Sequence, residues 1–110
     1  METTKNPDPK VRDPFEITKI SFELFKFYLD ELEKEFGDIT CNECGNQLWN
    51  IFRAPVPEGA EEKPNVVTFP MPFSPGVGMW SFPISCSRCG SMRFFEASAV
   101  YDGLRKHGKL

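Results

Sequence analysis

Cys41-Asn42-Glu43-Cys44-Gly45 and Cys86-Ser87-Arg88-Cys89-Gly90 are one pattern written twice, two thiols separated by two residues and followed by glycine. A Cys-x-x-Cys pair can present two sulfur ligands from one tight turn, and two pairs present four, enough for a single closed tetrahedral metal site. The glycine suits a turn that reverses with positive φ, where a Cβ would be penalised. Backbone amides in such a turn can donate to the sulfurs and lower their basicity. Cys41, Cys44, Cys86 and Cys89 are therefore the expected metal ligands. With no coordination position left open, the ion they hold is structural.

Zinc(II) is the expected ion, one per chain, because soft thiolates in a tetrahedron suit it. Iron in the same four-thiolate cage is the alternative metal, and disulfide or redox chemistry the alternative use of the thiols. A thioredoxin-like dithiol normally has one Cys-x-x-Cys opening a helix inside a strand-helix-strand unit, whereas each pair here leads through glycine into a strand-like run. The 41 residues between Cys44 and Cys86 exceed the ~15 to 20 usual for paired knuckles. The excess fits if 54–64 is a surface insertion and 65–85 an enlarged hairpin.

The 110 residues suffice for one domain around one core. Eleven Phe and ten Pro favour short strands and rigid loops around an aromatic interior. No apolar run approaches the ~20 residues needed to cross a bilayer, and Met1-Glu2-Thr3-Thr4-Lys5 lacks a signal peptide's apolar centre. A cytoplasmic protein with no membrane partner is expected. In that reducing setting, close cysteine pairs point to metal.

Residues 1–13 are polar, contain Pro7 and Pro9, lack periodicity, and read as a mobile leader before a single domain over 14–110. Asp13-Pro14-Phe15-Glu16 and Ser21-Phe22-Glu23 are competing helix starts. Phe22, Phe25, Leu29, Leu32 and Phe36 recur at helical spacing and predict an amphipathic helix over about 21–36, ended by Gly37. Pattern alone leaves 14–20 open between helix and extended chain. The helix carries Asp30, Glu31, Glu33 and Glu35 on its outer face, an acidic surface that serves solubility or a basic partner.

Beyond the first pair, alternation predicts a strand of about six residues from Gln47. Ala54 to Pro64 reads as a loop, and Asn65 to Phe73 and Met79 to Ser85 as strands joined by a tight turn. Pro70, Pro72 and Pro83 cannot donate to a ladder, so these strands are expected at edges or interrupted by bulges. Ser91 to Ala97 reads as the last strand, with Phe94 and Phe95 on opposite faces. A short helix follows over Ala97 to Leu104, inside a basic segment 98–110.

Over Cys41 to about Tyr101 the chain resembles the zinc-ribbon class. Cys-Asn-Glu-Cys-Gly with Trp49 four positions beyond the glycine, and Cys-Ser-Arg-Cys-Gly before an aromatic strand, look like small bacterial or phage zinc-ribbon proteins. The resemblance implies a small antiparallel ribbon sheet over 39–97, where each knuckle ends a β-hairpin; the N-terminal helix and the proline-rich hairpin depart from a minimal ribbon, and with that helix packed on the sheet the expected fold is α+β. It also implies the same four cysteine ligands. It implies no particular function, because ribbons serve many roles.

The expected role is a non-catalytic protein-interaction or regulatory adaptor. Net charge is −3, and Phe69, Met71, Phe73, Met79, Trp80 and Phe82 are more apolar bulk than so small a core needs, which makes them candidate partner contacts. The alternative is nucleic-acid binding through Arg88, Arg93, Arg105, Lys106 and Lys109, with aromatic strands for stacking. A sequence pI near 5.2 lacks the broad basic footprint of such proteins. No catalytic template is visible, and His107, the single histidine, lies in a polar tail.

Overall fold

The computed structural model describes residues 14–75 and 78–110. The leader expected over 1–13, and residues 76 and 77 of the tight turn expected between the two strands, lie outside the described residues. Both candidate helix starts are used. Helix α1 (Pro14–Ile17) is a single turn, closed by Lys19 N–H donating to Glu16 O and Ile20 N–H to Ile17 O. Helix α2 (Phe22–Phe36) begins afresh at Ser21, whose hydroxyl accepts from Leu24 N at 3.1 Å. The break between them turns Ile17 and Ile20 into the core. Gly37, at φ +94°, ends α2 and donates to Glu33 O.

Four antiparallel strands follow: β1 (Trp49–Ile51), β2 (Val67–Pro70), β3 (Gly78–Cys86) and β4 (Met92–Glu96). Ser81 pairs with both Val67 and Glu96, and Ser85 with both Asn50 and Met92. Strands β1 and β2 therefore share one edge of β3 in tandem, and β4 takes the other. This corrects the expectation that the proline-bearing run 79–85 lies at an edge or is interrupted by a bulge, because β3 is the central strand and its register with β4 is unbroken over Ser81–Ser85. Cys86 N–H donates toward β4, to Ser91 O, and Ser87 N–H toward β1, to Leu48 O. Alternation from these points turns the Pro83 nitrogen to the β1/β2 side. There it meets the gap between β1, which ends opposite Ile84, and β2, which begins opposite Ser81, so no ladder bond is lost.

Trp80, Phe82 and Ile84 point from β3 to the side on which the helices pack. The core unites Ile17 and Ile20 with Phe25 and Leu29 of α2, Phe82 and Ile84 of β3, and the buried side of α3 (Ala97–Lys106). Phe25 and Phe82 meet with ring centroids 5.0 Å apart. Helix α3 is longer than expected and buries Ala97, Val100, Tyr101 and Leu104. It is a core element before it is a basic tail. Its start is capped by the Glu96 carboxylate, which accepts from Ser98 N at 2.7 Å and Ala99 N at 3.2 Å.

Among the described residues, no helix is long and apolar enough to cross a membrane.

Candidate metal centre

The two cysteine pairs fold into near-copies of one turn. Cys41 N–H donates to Asn46 O at 2.9 Å and Gly45 N–H to Cys41 O at 2.9 Å; in the second turn Cys86 N–H donates to Ser91 O at 2.8 Å and Gly90 N–H to Cys86 O at 3.0 Å. Gly45 and Gly90 have φ of +78° and +81°, the left-handed backbone that the post-cysteine glycine predicts. The sulfurs of Cys41, Cys44, Cys86 and Cys89 all lie within 4.8 Å of one another. Four sulfurs ~2.3 Å from a central ion stand about 3.8 Å apart. The four-thiol cluster therefore has the donor set and size to hold one metal ion.

Burial is uneven. Cys41 and Cys86 are buried, Cys44 is half-buried and Cys89 is exposed. Donors converge on the buried sulfurs. The backbone N–H groups of Cys89 and Arg88, with the Asn46 amide, hold Cys86 at about 5 against the opposing effect of burial. The N–H groups of Cys44 and Glu43 likewise hold Cys41 below the ordinary thiol value. At Cys44 the N–H of Asn46 pulls down, but burial and the neighbouring thiols outweigh it and push the group up to about 12. Four crowded thiols do not all ionise by themselves; a bound cation would remove that conflict.

The two turns approach the site differently. The second joins β3 to β4 as a hairpin, as a ribbon requires. The first does not, since no strand runs over 37–40. Side chains replace the missing ladder: Trp49 Nε1 donates to Ile39 O at 2.7 Å, Arg93 donates to Thr40 O at 2.6 Å, and Ile39 N–H donates to the Glu33 carboxylate at 2.9 Å. The Arg93 guanidinium also lies 5.0 Å from the centre of the Trp49 ring. Asn46 ties the turns together, its amide donating to Leu48 O and to the Ser87 hydroxyl, both at 2.9 Å. No spacing rule links Glu33 and Arg93 to the cysteines, so these supports were invisible to pattern; Trp49 stood in the pattern four positions beyond Gly45, but its bond to Ile39 did not.

The candidate partner residues divide. Phe69, Met71, Phe73 and Met79 are exposed, Phe73 at 98%. Phe82 is a correction: alternation along β3 turns it inward, where it is 1% exposed and unavailable to a partner. Trp80 points the same way and packs against the core. On the outer face Phe69 and Phe94 come from opposite edges of β3 and meet above it, ring centroids 5.3 Å apart. Exposed Met92 joins them; Met92 and Phe94 were missed because they read as ordinary strand residues.

The basic residues sit on different elements, and two of them make contacts within the fold. Arg93 is committed to Thr40 and Trp49, and Lys109 lies 4.7 Å from the centre of the Phe27 ring. Arg88 is in the second cysteine turn, and Arg105 and Lys106 end α3.

No protein-family model matches this chain, and neither a curated protein nor a solved structure shows significant similarity to it.

Proposed function

We propose that Cys41, Cys44, Cys86 and Cys89 hold one zinc ion in a ribbon-like site, and that the scaffold so held is a non-catalytic adaptor binding another protein through the outer face of its sheet. The observation that carries this reading is the Phe69–Phe94 contact across β3. It gathers exposed Met79 and Met92 into an apolar surface on the side away from the helices. Such surfaces on small proteins mark interaction sites more often than scattered apolar residues do.

The donor set favours zinc, since four thiolates in a tetrahedron match its soft-ligand preference. A closed thiolate cage gives the ion a folding role and no open position for substrate. Nucleic-acid binding is the weaker reading, because Arg93 and Lys109 are occupied within the fold.

The test is affinity capture from a host lysate with the zinc-loaded chain and with Met79→Lys and Phe69→Ser variants of equal zinc content. A partner retained by the parent and lost from both variants supports the adaptor role. Equal capture by all three removes the outer face from it.

A further inference from the structure

Strand β4 pairs only with β3 among the described residues, so its other edge is free. The Cys86–Ser91 bond sets the alternation, in which Arg93 and Phe95 face β3 with their backbone groups while Met92 and Phe94 turn theirs outward. An open hollow of about 550 Å³ runs beside that edge, bounded by Met92, Phe94 and Phe95 and by Leu32, Phe36 and Ile39. Phe36 is 76% exposed although it ends the apolar stripe of α2. An unpaired strand edge accepts an extended polypeptide and little else, because only a β-strand matches its row of donors and acceptors.

The charge beside the hollow leans negative, although Arg93 lines it and keeps its positive charge. Glu35 and Asp38 are exposed where α2 ends, and Asp38 lines the hollow. The partial negative charge of the helix C-terminus adds to theirs. Lys34, the basic residue of that last turn, is paired with Glu31 at 3.0 Å. Arg93, the cation of the hollow, is held by Thr40 O. Neither Glu35 nor Asp38 has a cationic partner among the described residues.

We infer that, within the protein-binding role proposed above and resting on it, the free edge of β4 takes an extended peptide segment of the partner as an added strand. Apolar side chains at alternate positions enter the hollow against Leu32, Phe36 and Phe95. A lysine or arginine at one end meets Asp38 and Glu35.

The test selects random peptides displayed on phage against the full zinc-loaded chain, then measures a synthetic copy of an enriched peptide by fluorescence anisotropy. The enriched sequences should alternate apolar residues and end in a basic one. With Phe94→Ala as a control that removes the ring of the outer face but keeps the N–H, Phe94→Pro removes an edge N–H without touching the β3 ladder, and Asp38→Lys reverses the charge at an exposed site. Phe94→Pro and Asp38→Lys should each weaken the peptide by about tenfold or more, while Met79→Lys leaves it unchanged. Should Phe94→Pro misfold, Asp38→Lys alone carries the test. Selection without enrichment, or binding indifferent to Asp38→Lys, overturns the inference. Loss in Met79→Lys alone overturns it too, but leaves the outer-face adaptor standing. A free chain that sediments as a dimer and is dissociated by Phe94→Pro would make the occupant a second copy of this chain, which also overturns it.

Discussion

Arg93 on β4 donates to the carbonyl of Thr40 at 2.6 Å, so the last strand of the sheet grips the chain one residue ahead of the first cysteine ligand. Its guanidinium also covers Trp49, whose indole holds the carbonyl of Ile39. Together they fix the approach of Cys41, which no strand does. Arg93→Ala should weaken metal retention by about tenfold or more, the usual effect of losing an outer support of a metal ligand, measured by competition with a chromophoric chelator. Arg93→Lys should recover only part of that, because an ammonium cannot stack flat on the indole. Retention equal to the parent would show that 39–40 are held well enough without Arg93.

Gly45 and Gly90 separate backbone conformation from packing. An added Cβ would have no atom within 4 Å at either position, so substitution acts through positive φ alone. Alanine at each should lower the stability of the metal-loaded chain by about 1 kcal/mol, with asparagine milder, read from denaturant midpoints. Alanine variants as stable as the parent would show that the turns relax to another backbone.

Gly103 makes the opposite case. It sits within α3, where alanine ordinarily gains ~1 kcal/mol over glycine. Here a Cβ would come within 2.7 Å of Tyr28 Cε1, and that ring is itself packed edge-on against Phe95 at 6.4 Å. Gly103→Ala should therefore lower the melting temperature, and Tyr28→Ala should turn the same substitution from destabilising to stabilising. A higher melting temperature for Gly103→Ala alone would mean the α2–α3 contact yields easily.

Phenylalanines separate sharply by place. Phe25 is fully buried between Phe82 and Phe95, and truncating it to alanine should cost about 3 to 5 kcal/mol, a large share of the ~5 to 15 kcal/mol typical of such domains. Phe73→Ser, at a side chain almost wholly in water, should stay within about 0.5 kcal/mol of the parent. A large loss at Phe73 would mean that something covers it.

What the sequence revealed divides along the range of the forces involved. The cysteine turns, their left-handed glycines and helix α2 are set by neighbours a few residues apart, and all were legible. The central place of β3 was not, because three prolines nearby argue for an edge; only the tandem arrangement of β1 and β2 leaves Pro83 a gap to face. Helix α3 was visible as a helix but not as core, since Val100, Tyr101 and Leu104 form too short a stripe to outweigh the basic residues after it. The Arg93–Thr40 tether spans 53 residues of sequence and has no local signal. Phe82 could not be told from Phe69 until register fixed which of them faces in.

The most direct test of the metal-held scaffold is elemental analysis of the purified chain under reducing conditions, followed by circular dichroism as a strong chelator is added. About one zinc per chain should be found, and its removal should unfold the sheet, because a structural zinc site contributes roughly 10 kcal/mol or more to folding. A chain that carries no zinc, or that keeps its sheet after the zinc is gone, would contradict it.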